Sequence, residues 1–483
     1  MKRIFCLLLT IIISFPTIFC QSSKIKKTQV NVLVTDATRS NDLKRETIKF
    51  SQKKNISKII SLNPSHKYQQ IDGFGAALTG SSCFNLMKMK KDDREKFLTQ
   101  TFSQKNGYGF SYIRISIGCS DFSLSEYTCC DKKGIENFSL QSEELNYVIP
   151  VLQQIKRINP DIMILGSPWT PPKWMKVNNL EELKEFDSWT NGQLNPKYYD
   201  DYALYFVKWI KAFNMFGIKI DAITPQNEPL NRANSASLFM GWKEQSDFVK
   251  NALGPAFKKA DIKTKIYAFD HNYNYDNLED QQNYPINMYE DGEVYDYLAG
   301  TAYHNYMGNK DELNRIHGIF PEKELIFTET SIGTWNDGQN LDKRLVDDMN
   351  EVGIGTINRW CKASIVWNLM LDSERGPKRE KGCKTCYGAV DIDNETFSEI
   401  TKNSHYYLIA HLSDVVKPGA VRIENDNNEN DGIVCSSFVN KDKSKAFVVT
   451  NKNKSQKEIG INDNGKFISY VLPPNSIVSF RWK

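Results

Sequence analysis

The sequence predicts an α/β protein: a (β/α)8 barrel with an attached β-sandwich built from segments at both ends of the chain. Three observations carry this. Between about 67 and 412, short apolar runs alternate with long amphipathic helical patterns, which is how a parallel sheet with crossover helices reads. At 21–66 and 413–483, strand-like runs separated by turns follow one another with no long helix. Acidic, amide and aromatic residues recur just past the central runs, where such a barrel carries its site.

In chain order, Met1 to Cys20 has the form of a secretory signal. Lys2 and Arg3 precede the apolar run Ile4–Ile13, and a short tail ends at Cys20. The run is short for a membrane span and no later stretch replaces it. Export to the outside, the periplasm or the cell surface is the expectation, with cleavage after Cys20. Lipid attachment at Cys20 is the weaker variant, because the bulky Phe19 precedes it.

Segment 21–66 contributes the alternating strand Gln29–Val34 and the short strand Lys58–Leu62. Segment 413–483 contributes Ala420–Ile423, Gly432–Val439, Lys445–Thr450, Gly465–Leu472 and Ser476–Trp482. One sandwich made from both termini accounts for them.

The central segment, 67–412, holds eight strand candidates: Gln70–Leu78, Tyr112–Ile117, Ile162–Gly166, Ala222–Pro225, Lys265–Phe269, Gly300–His304, Leu325–Thr328 and Ser364–Leu369. The fourth reads at first as a longer apolar run, Phe216–Ile223. Helical stripes lie between most of them, among them Leu145–Ile158, Tyr198–Phe216 and Glu244–Ala260. An open doubly wound sheet is the rival, but no Gly-rich nucleotide loop stands where that fold would carry one.

The strand ends collect Arg114 and Asp121, Trp169, Asn227 and Glu228, Asp270 and His271, His304 and Tyr306, Glu329, and Trp367 and Asn368. Two glutamates at two strand ends are what hydrolysis of a glycosidic bond requires, and flanking tryptophans suit the face of a sugar ring. Arg114 stands inside an apolar strand, where a charge needs a partner, and Glu329 is the candidate. Plainer alternatives exist for each: a loop cap for Asp121, packing for Trp169, a hydrogen-bonded core histidine for His304.

The net charge of +4 on 483 residues is spread along the chain, so nucleic acid is not an expected partner. Six histidines with no pair at metal spacing, and no G-x-S-x-G elbow, speak against a metal hydrolase and a serine hydrolase. No cofactor is expected. Beyond the signal stand eight cysteines; Cys383 and Cys386 suit a disulfide or two buried thiols, and one of Cys129 and Cys130 is in line for a bridge to Cys119 or Cys83. Asn55, Asn137, Asn394 and Asn453 head Asn-x-Ser/Thr triplets, which matter only in a eukaryotic secretory pathway.

Taken together, Gly73-Phe74-Gly75, Arg114 with Cys119-Ser120-Asp121-Phe122-Ser123, Ser167-Pro168-Trp169-Thr170, Gln226-Asn227-Glu228-Pro229, His304-Asn305-Tyr306, Phe327-Thr328-Glu329 and Trp367-Asn368-Leu369 resemble glycoside hydrolase family 30 over nearly the whole chain past the signal. That family includes lysosomal glucosylceramidases and endo-β-1,6-glucanases. The resemblance implies that Glu228 is the acid/base and Glu329 the nucleophile of a retaining mechanism. It implies that Asp121, Trp169, Asn227 and Trp367 hold a glucose, with His304 and Tyr306 flanking the glutamates. Leu78-Thr79-Gly80-Ser81-Ser82 departs from the glucosylceramidase pattern, which has an acidic residue here. The Asn227-Glu228-Pro229 wording and the Cys383/Cys386 loop are similar to the bacterial β-1,6-glucanase branch.

The expectation is a retaining hydrolase of β-linked glucosides, acting on β-1,6-glucan. Glucosylceramide, a glucosyl lipid, is the alternative substrate. A non-catalytic carbohydrate-binding protein on an inactive barrel is the alternative of another class. On the retaining reading Glu228 starts protonated, its pKa raised by burial and by the charge on Glu329.

Overall fold

The computed structural model describes residues 28–52 and 56–483. The expected signal segment, with Cys6 and Cys20, and Asn55 lie outside the described residues.

Eight parallel strands close into a barrel: β1 (Gly73–Ala77), β2 (Tyr112–Ser116), β3 (Met163–Ser167), β4 (Ala222–Ile223), β5 (Lys265–Asn272), β6 (Gly300–His304), β7 (Glu324–Glu329) and β8 (Cys361–Val366). Each predicted run overlaps one of them. Their near-continuous burial is what a parallel sheet covered by helices demands. Inside the barrel Tyr112, Leu165, Ala222, Tyr267, Ala302, Ile326, Ala363 and Ile365 fill the lower layers. Strands β1 and β2 approach so closely that a Cβ at Gly75 would lie 1.7 Å from the Tyr112 carbonyl oxygen, so only glycine fits there.

The helices turn their apolar stripes inward. Tyr202, Phe206, Trp209 and Phe213 are buried on Tyr199–Met215, and Ile149, Leu152 and Ile155 on Ile149–Ile158. Trp209 lies directly over Gly166 of β3.

Several boundaries differ from the sequence reading. Of the Phe216–Ile223 run only Ala222–Ile223 is strand. Phe216 caps the preceding helix and is 40% exposed, because Gly217 (φ 74°) turns the chain out of that helix in the left-handed region. Gln70 closes a sandwich strand rather than opening β1. Trp367, Asn368 and Leu369 lie beyond β8, on the loop that follows it.

The second unit is a curled nine-stranded sheet drawn from both ends of the chain. Gln29–Asp36 pairs antiparallel with Ser476–Trp482, so the two terminal segments share one layer. The long strand Ile59–Gln70 belongs to both layers: Ile59–Ser61 pairs with Gly460–Asn462, and the rest pairs with Val421–Asn425. Pro64 sits where this second ladder breaks register, the position at which a missing N–H costs least. Val30, Ile60, Phe447, Ile459, Phe480 and Trp482 form part of the separate core between the layers.

Two strands escaped the sequence reading. Lys44–Lys49 is an exposed, charged edge strand whose side chains do not alternate in polarity. Lys457–Asp463 is interrupted by Gly460, beneath the Phe467 ring. Among the described residues no helix is long and apolar enough to cross a membrane.

Cys383 and Cys386 form a disulfide, with a Cα–Cα distance of 5.7 Å. The expected bridge from Cys129 or Cys130 to Cys119 or Cys83 is not made. All four are buried free thiols, as are Cys361 and Cys435. The Cys129 thiol points at Glu144 and the Cys130 thiol at the Gly134 carbonyl oxygen.

Candidate active site

The carboxyl-terminal ends of the barrel strands converge on one buried polar cluster. Arg114, on β2, is fully buried at its centre. Its Nη1 donates to Glu329, while Nη2 donates to the Asn227 side chain at 2.6 Å and to Asp270 at 2.9 Å. Its guanidinium also lies 5.1 Å from the Trp169 ring and 5.5 Å from the Trp367 ring. These two indoles stack on each other, 5.1 Å between centroids.

Local backbone geometry explains how these side chains come to face inward. After β4, the Asn227 amide donates to the Pro168 carbonyl oxygen at 2.8 Å and the Glu228 amide to the Asp270 carbonyl oxygen at 3.0 Å. The turn is thereby clamped between the loops after β3 and β5. Glu228 adopts φ 46°, a left-handed conformation that a non-glycine residue holds only when its surroundings impose it. In β5 the register slips between Phe269 and His271, and Asp270 (φ 72°) is the extra residue. Such a bulge re-aims a side chain, here into the barrel mouth. Glu329 ends β7 as the register partner of His304 on β6.

Asp270 is the hub. It accepts from Arg114, Ser167 and Thr224 on one oxygen and from Thr328 and His304 on the other. Burial pushes its carboxyl up, but the charges of Arg114 and His304 and these hydrogen bonds hold it well below the usual carboxylate range. His304 bridges to the glutamates: Nε2 is 3.0 Å from Asp270, and Nδ1 is 3.3 Å from Glu228 and 4.0 Å from Glu329. Burial would lower its pKa, yet Glu329, Asp270 and Glu228 raise it to about 9, so the ring carries a proton at neutral pH.

Glu228 receives the side-chain amides of Asn231 at 2.8 Å and Asn234 at 2.9 Å. Burial raises its pKa, but the His304 hydrogen bond and the charges on His271 and His304 bring it below the ordinary value. This reverses the expectation of a raised Glu228: His304, expected to flank the glutamates, bonds to it directly, and His271, not expected as a neighbour, adds its charge. Glu329 is the carboxyl that is raised, by burial above all and by the charges of Glu228 and Asp270, against the pull of His304 and Arg114. Tyr306 donates its hydroxyl to Glu329 at 2.9 Å. One imidazole nitrogen reaches both carboxylates, so their facing oxygens lie within about 7 Å of each other.

Asp121 lies on the loop after β2, facing the same mouth. Burial and the charges of Glu329 and Glu228 push it up to about 7, with Arg379 pulling the other way. The loop carrying Arg379 covers it: a Cβ at Gly382 would stand 2.4 Å from the Asp121 carbonyl oxygen.

Among the described residues, Glu228, His271 and His304 offer ligand atoms within 4.8 Å of one another, a cluster that sequence spacing does not show. Its chemistry is that of proton sharing. Both His304 nitrogens face carboxylates, and His271 turns Nε2 to Asp276 at 2.7 Å. A doubly bonded imidazolium has no lone pair to give a metal. Thus Arg114, Asp121, Trp169, Asn227, Glu228, His304, Tyr306, Glu329 and Trp367 all come to one mouth. Asp270 and His271 join them from the end of β5, and Asn231, Asn234 and Arg379 from loops whose sequence marks them only as polar.

Residues 71–416 match the glycosyl hydrolase family 30 TIM-barrel domain, and residues 419–480 the family's β-sandwich domain. The chain belongs to glycosyl hydrolase family 30. Within that family it is 30% identical to an endo-1,6-β-D-glucanase of Neurospora crassa over 441 residues, 86% of each chain. It is 26% identical to the lysosomal acid glucosylceramidase of Mus musculus over 458 residues, covering 88% of this chain and 83% of the mouse protein. The solved structure of the endo-β1,6-glucanase BT3312 superposes with a TM-score of 0.93 at 61% identity, covering 94% of this chain and 99% of that one. The family 30 chain is a glycoside hydrolase with a carbohydrate substrate.

Proposed function

We propose that this family 30 enzyme is an endo-acting, retaining β-1,6-glucanase with Glu329 as nucleophile and Glu228 as acid/base. The observation that carries the substrate is the 61% identity to an endo-β1,6-glucanase along nearly the full length of both chains. The observation that supports the mechanism is the pairing of both carboxylates on His304, with Arg114 and Tyr306 anchoring one and two amides anchoring the other.

Glu329, held by Arg114, attacks the anomeric carbon as the glycosidic C–O bond breaks. The departing oxygen needs one proton. That proton is held by His304, 3.3 Å from Glu228, and passes through Glu228 to the leaving oxygen. The product of this half-reaction is a glycosyl ester on Glu329 and a shorter glucan. Glu228, again ionised, then takes a proton from water, whose oxygen displaces Glu329 and restores the β configuration. Asn227 is positioned beside Glu329 by Arg114 to meet the 2-hydroxyl, while Asp121, Trp169 and Trp367 hold the rest of the ring.

Product analysis tests this. Incubation with a β-1,6-glucan should release a ladder of short β-1,6-linked oligosaccharides, with the β-anomer appearing first by proton NMR. Release of glucose from glucosylceramide with an intact β-1,6-glucan would replace the substrate assignment, and first appearance of the α-anomer would remove the double-displacement mechanism. The reading includes export directed by Met1–Cys20. A mature amino terminus at Gln21 on protein recovered outside the cytoplasm is the expected result; retention of Met1 inside the cell would discard it.

A further inference from the structure

His271 is a buried titratable group, beside the acid/base, that the two half-reactions leave unused. It stands at the end of β5 just past the bulge at Asp270, and its ring is almost wholly buried. Its Nε2 lies 2.7 Å from the Asp276 carboxylate. Its Nδ1 lies 3.8 Å from Oε1 of Glu228 and has no hydrogen-bond partner.

The placement of Asp276 is unusual. Tyr275, Asp276 and Asn277 stand in succession in the left-handed region, at φ 54°, 52° and 56°, which non-glycine residues hold only when their surroundings impose it. The Tyr275 hydroxyl is tied to Glu312 at 2.5 Å and to Tyr303 at 3.0 Å, and the Asn272 amide donates to the second Asp276 oxygen at 3.1 Å. Burial pushes the Asp276 carboxyl up, but the bond and charge of His271 and the Asn272 bond bring it below its ordinary value. An ionised carboxylate only accepts, so Asp276 takes the Nε2–H and leaves the Nδ1 lone pair facing Glu228.

The two oxygens of Glu228 are not equivalent. Oε2 receives the amides of both Asn231 and Asn234, so a proton on Glu228 sits on Oε1. Oε1 faces Nδ1 of His304 at 3.3 Å and Nδ1 of His271 at 3.8 Å. These imidazoles differ in what else they face. Burial lowers His304, and Glu329, 4.0 Å away, is the strongest of the groups that raise it. Among the described residues the ion-pair partners of His271 are Asp276 and Glu228, with the His304 ring 6.3 Å off. Esterification of Glu329 therefore weakens the hold of His304 on a proton and leaves the partners of His271 unchanged.

We propose that His271, held by Asp276, is the second proton seat of Glu228 and receives the proton that Glu228 draws from water in the second half-reaction. As the water oxygen bonds to the anomeric carbon, the ester bond to Glu329 breaks and one water O–H bond breaks with it. That proton goes to Oε1 and on to Nδ1, and the imidazolium then lies between the Glu228 and Asp276 carboxylates. Once Glu329 is free and charged again, the proton returns through Oε1 toward His304 for the next cycle. His271 acts on the sugar only through Glu228 and is a positioning residue; this role rests on the two-glutamate reading.

The parent, His271→Asn and Asp276→Asn are converted to the 2-deoxy-2-fluoroglucosyl ester, and its decay is followed in buffer and in sodium azide, a nucleophile that needs no base. In buffer the His271→Asn ester should decay at least fivefold more slowly than the parent's, and azide should bring the two within twofold. Asp276→Asn, whose amide donates to Nε2 and so moves the ring proton to Nδ1, should slow decay in the same direction. Asp276→Glu should restore most of the rate. A merely structural role would slow ester formation and leave azide without effect. Decay of the His271→Asn ester less than fivefold slower in buffer would overturn the proposal, as would a gap that azide does not close. Failure of the parent to form any ester on Glu329 would instead remove the two-glutamate reading.

Discussion

At the amino-terminal end of the barrel, Glu324 accepts from Lys265, Lys362 and Tyr267, and Lys362 also reaches Asp72 at 3.4 Å. Two acids meet two bases there. At the carboxyl-terminal end, Glu228, Asp270 and Glu329 face Arg114 and His304, with Asp121 beside them. Acids outnumber bases, and the backbone departs from ordinary geometry at Glu228, Phe269, Asp270 and Asn368, each at positive φ. The lower cluster lowers Glu324 and raises Lys362, so both stay charged. The upper cluster drives Glu329 up and leaves a proton shared between an imidazole and a carboxylate. One fold thus builds a charge-balanced plug at one mouth and an unbalanced proton store at the other. The imbalance is what chemistry needs: a carboxylate free to attack and a proton free to move.

The sharpest way to break this division is to remove one glutamate from each end of the same strand. Glu329→Gln should lower kcat/KM by about 10⁴-fold or more, because the step it performs has no substitute. Glu324→Gln should do the opposite, lowering unfolding free energy by about 1–3 kcal/mol through the lysines it leaves unpaired. Its kcat/KM at 25 °C should stay within about threefold of the parent. Urea denaturation and initial rates on both variants decide the matter. Comparable losses of rate from the two would mean that the ends do not divide stability from catalysis.

The pH dependence of stability sharpens the same contrast. His304 is raised from an ordinary 6.5 to about 9 by folding. Its stabilising contribution is therefore complete below about 6.5 and fades as pH rises toward 9, amounting to about 3 kcal/mol. Asp270 works with the opposite sign: its carboxyl is depressed, so its contribution is present above the ordinary carboxylate range and lost as pH falls through it. The stability difference between the parent and His304→Asn should therefore narrow between about pH 6 and pH 9, as the parent loses the His304 contribution and the variant does not. Glu324→Gln should lose the same increment at both pH values, since neither Glu324 nor Lys362 titrates between them. A His304→Asn curve parallel to the parent's would show that the imidazole is not the alkaline-sensitive group.

Much of this was legible from the chain. The alternation of apolar runs and helical stripes is a one-dimensional pattern, and it located all eight barrel strands. The conspicuous polar residues at their ends, such as Glu228 and Glu329, could be read off once the strands were counted. What could not be read were relations among loops. Asp270 faces inward only because β5 bulges there, and a bulge has no signature in a run such as Ala268-Phe269-Asp270-His271. The lowered Glu228 depends on His271 and His304, which lie 43 and 76 residues downstream and arrive from two other strands. Lys44–Lys49 was missed because an exposed edge strand protects itself with charge, which erases the alternation that marks a strand.

The smallest expected effect concerns the loop that roofs the upper cluster. Cys383 and Cys386 enclose only two residues, so their bond restricts the unfolded chain modestly, by about 1–2 kcal/mol. Its local placement carries more weight. The loop holds Arg379, which donates to Glu126 at 3.1 Å and to the Ser235 carbonyl oxygen, joining the loops after β2, β4 and β8. Gly382 covers Asp121, and Cys386 pairs with Gly333 beside Trp335. Opening the disulfide should loosen the loops at Asp121 and at Gly333 together while leaving Arg114, Asp270 and His304 in place. Reduction, or Cys383→Ser with Cys386→Ser, should therefore raise KM about two- to fivefold with kcat within about twofold. Among the described residues the six other thiols are buried, as is Cys386, so a thiol reagent applied to the reduced native protein should label the half-buried Cys383 first. A fall in kcat as large as the rise in KM would mean that the roof also positions the glutamates, and the boundary between substrate binding and the proton store would have to move inward to Arg114.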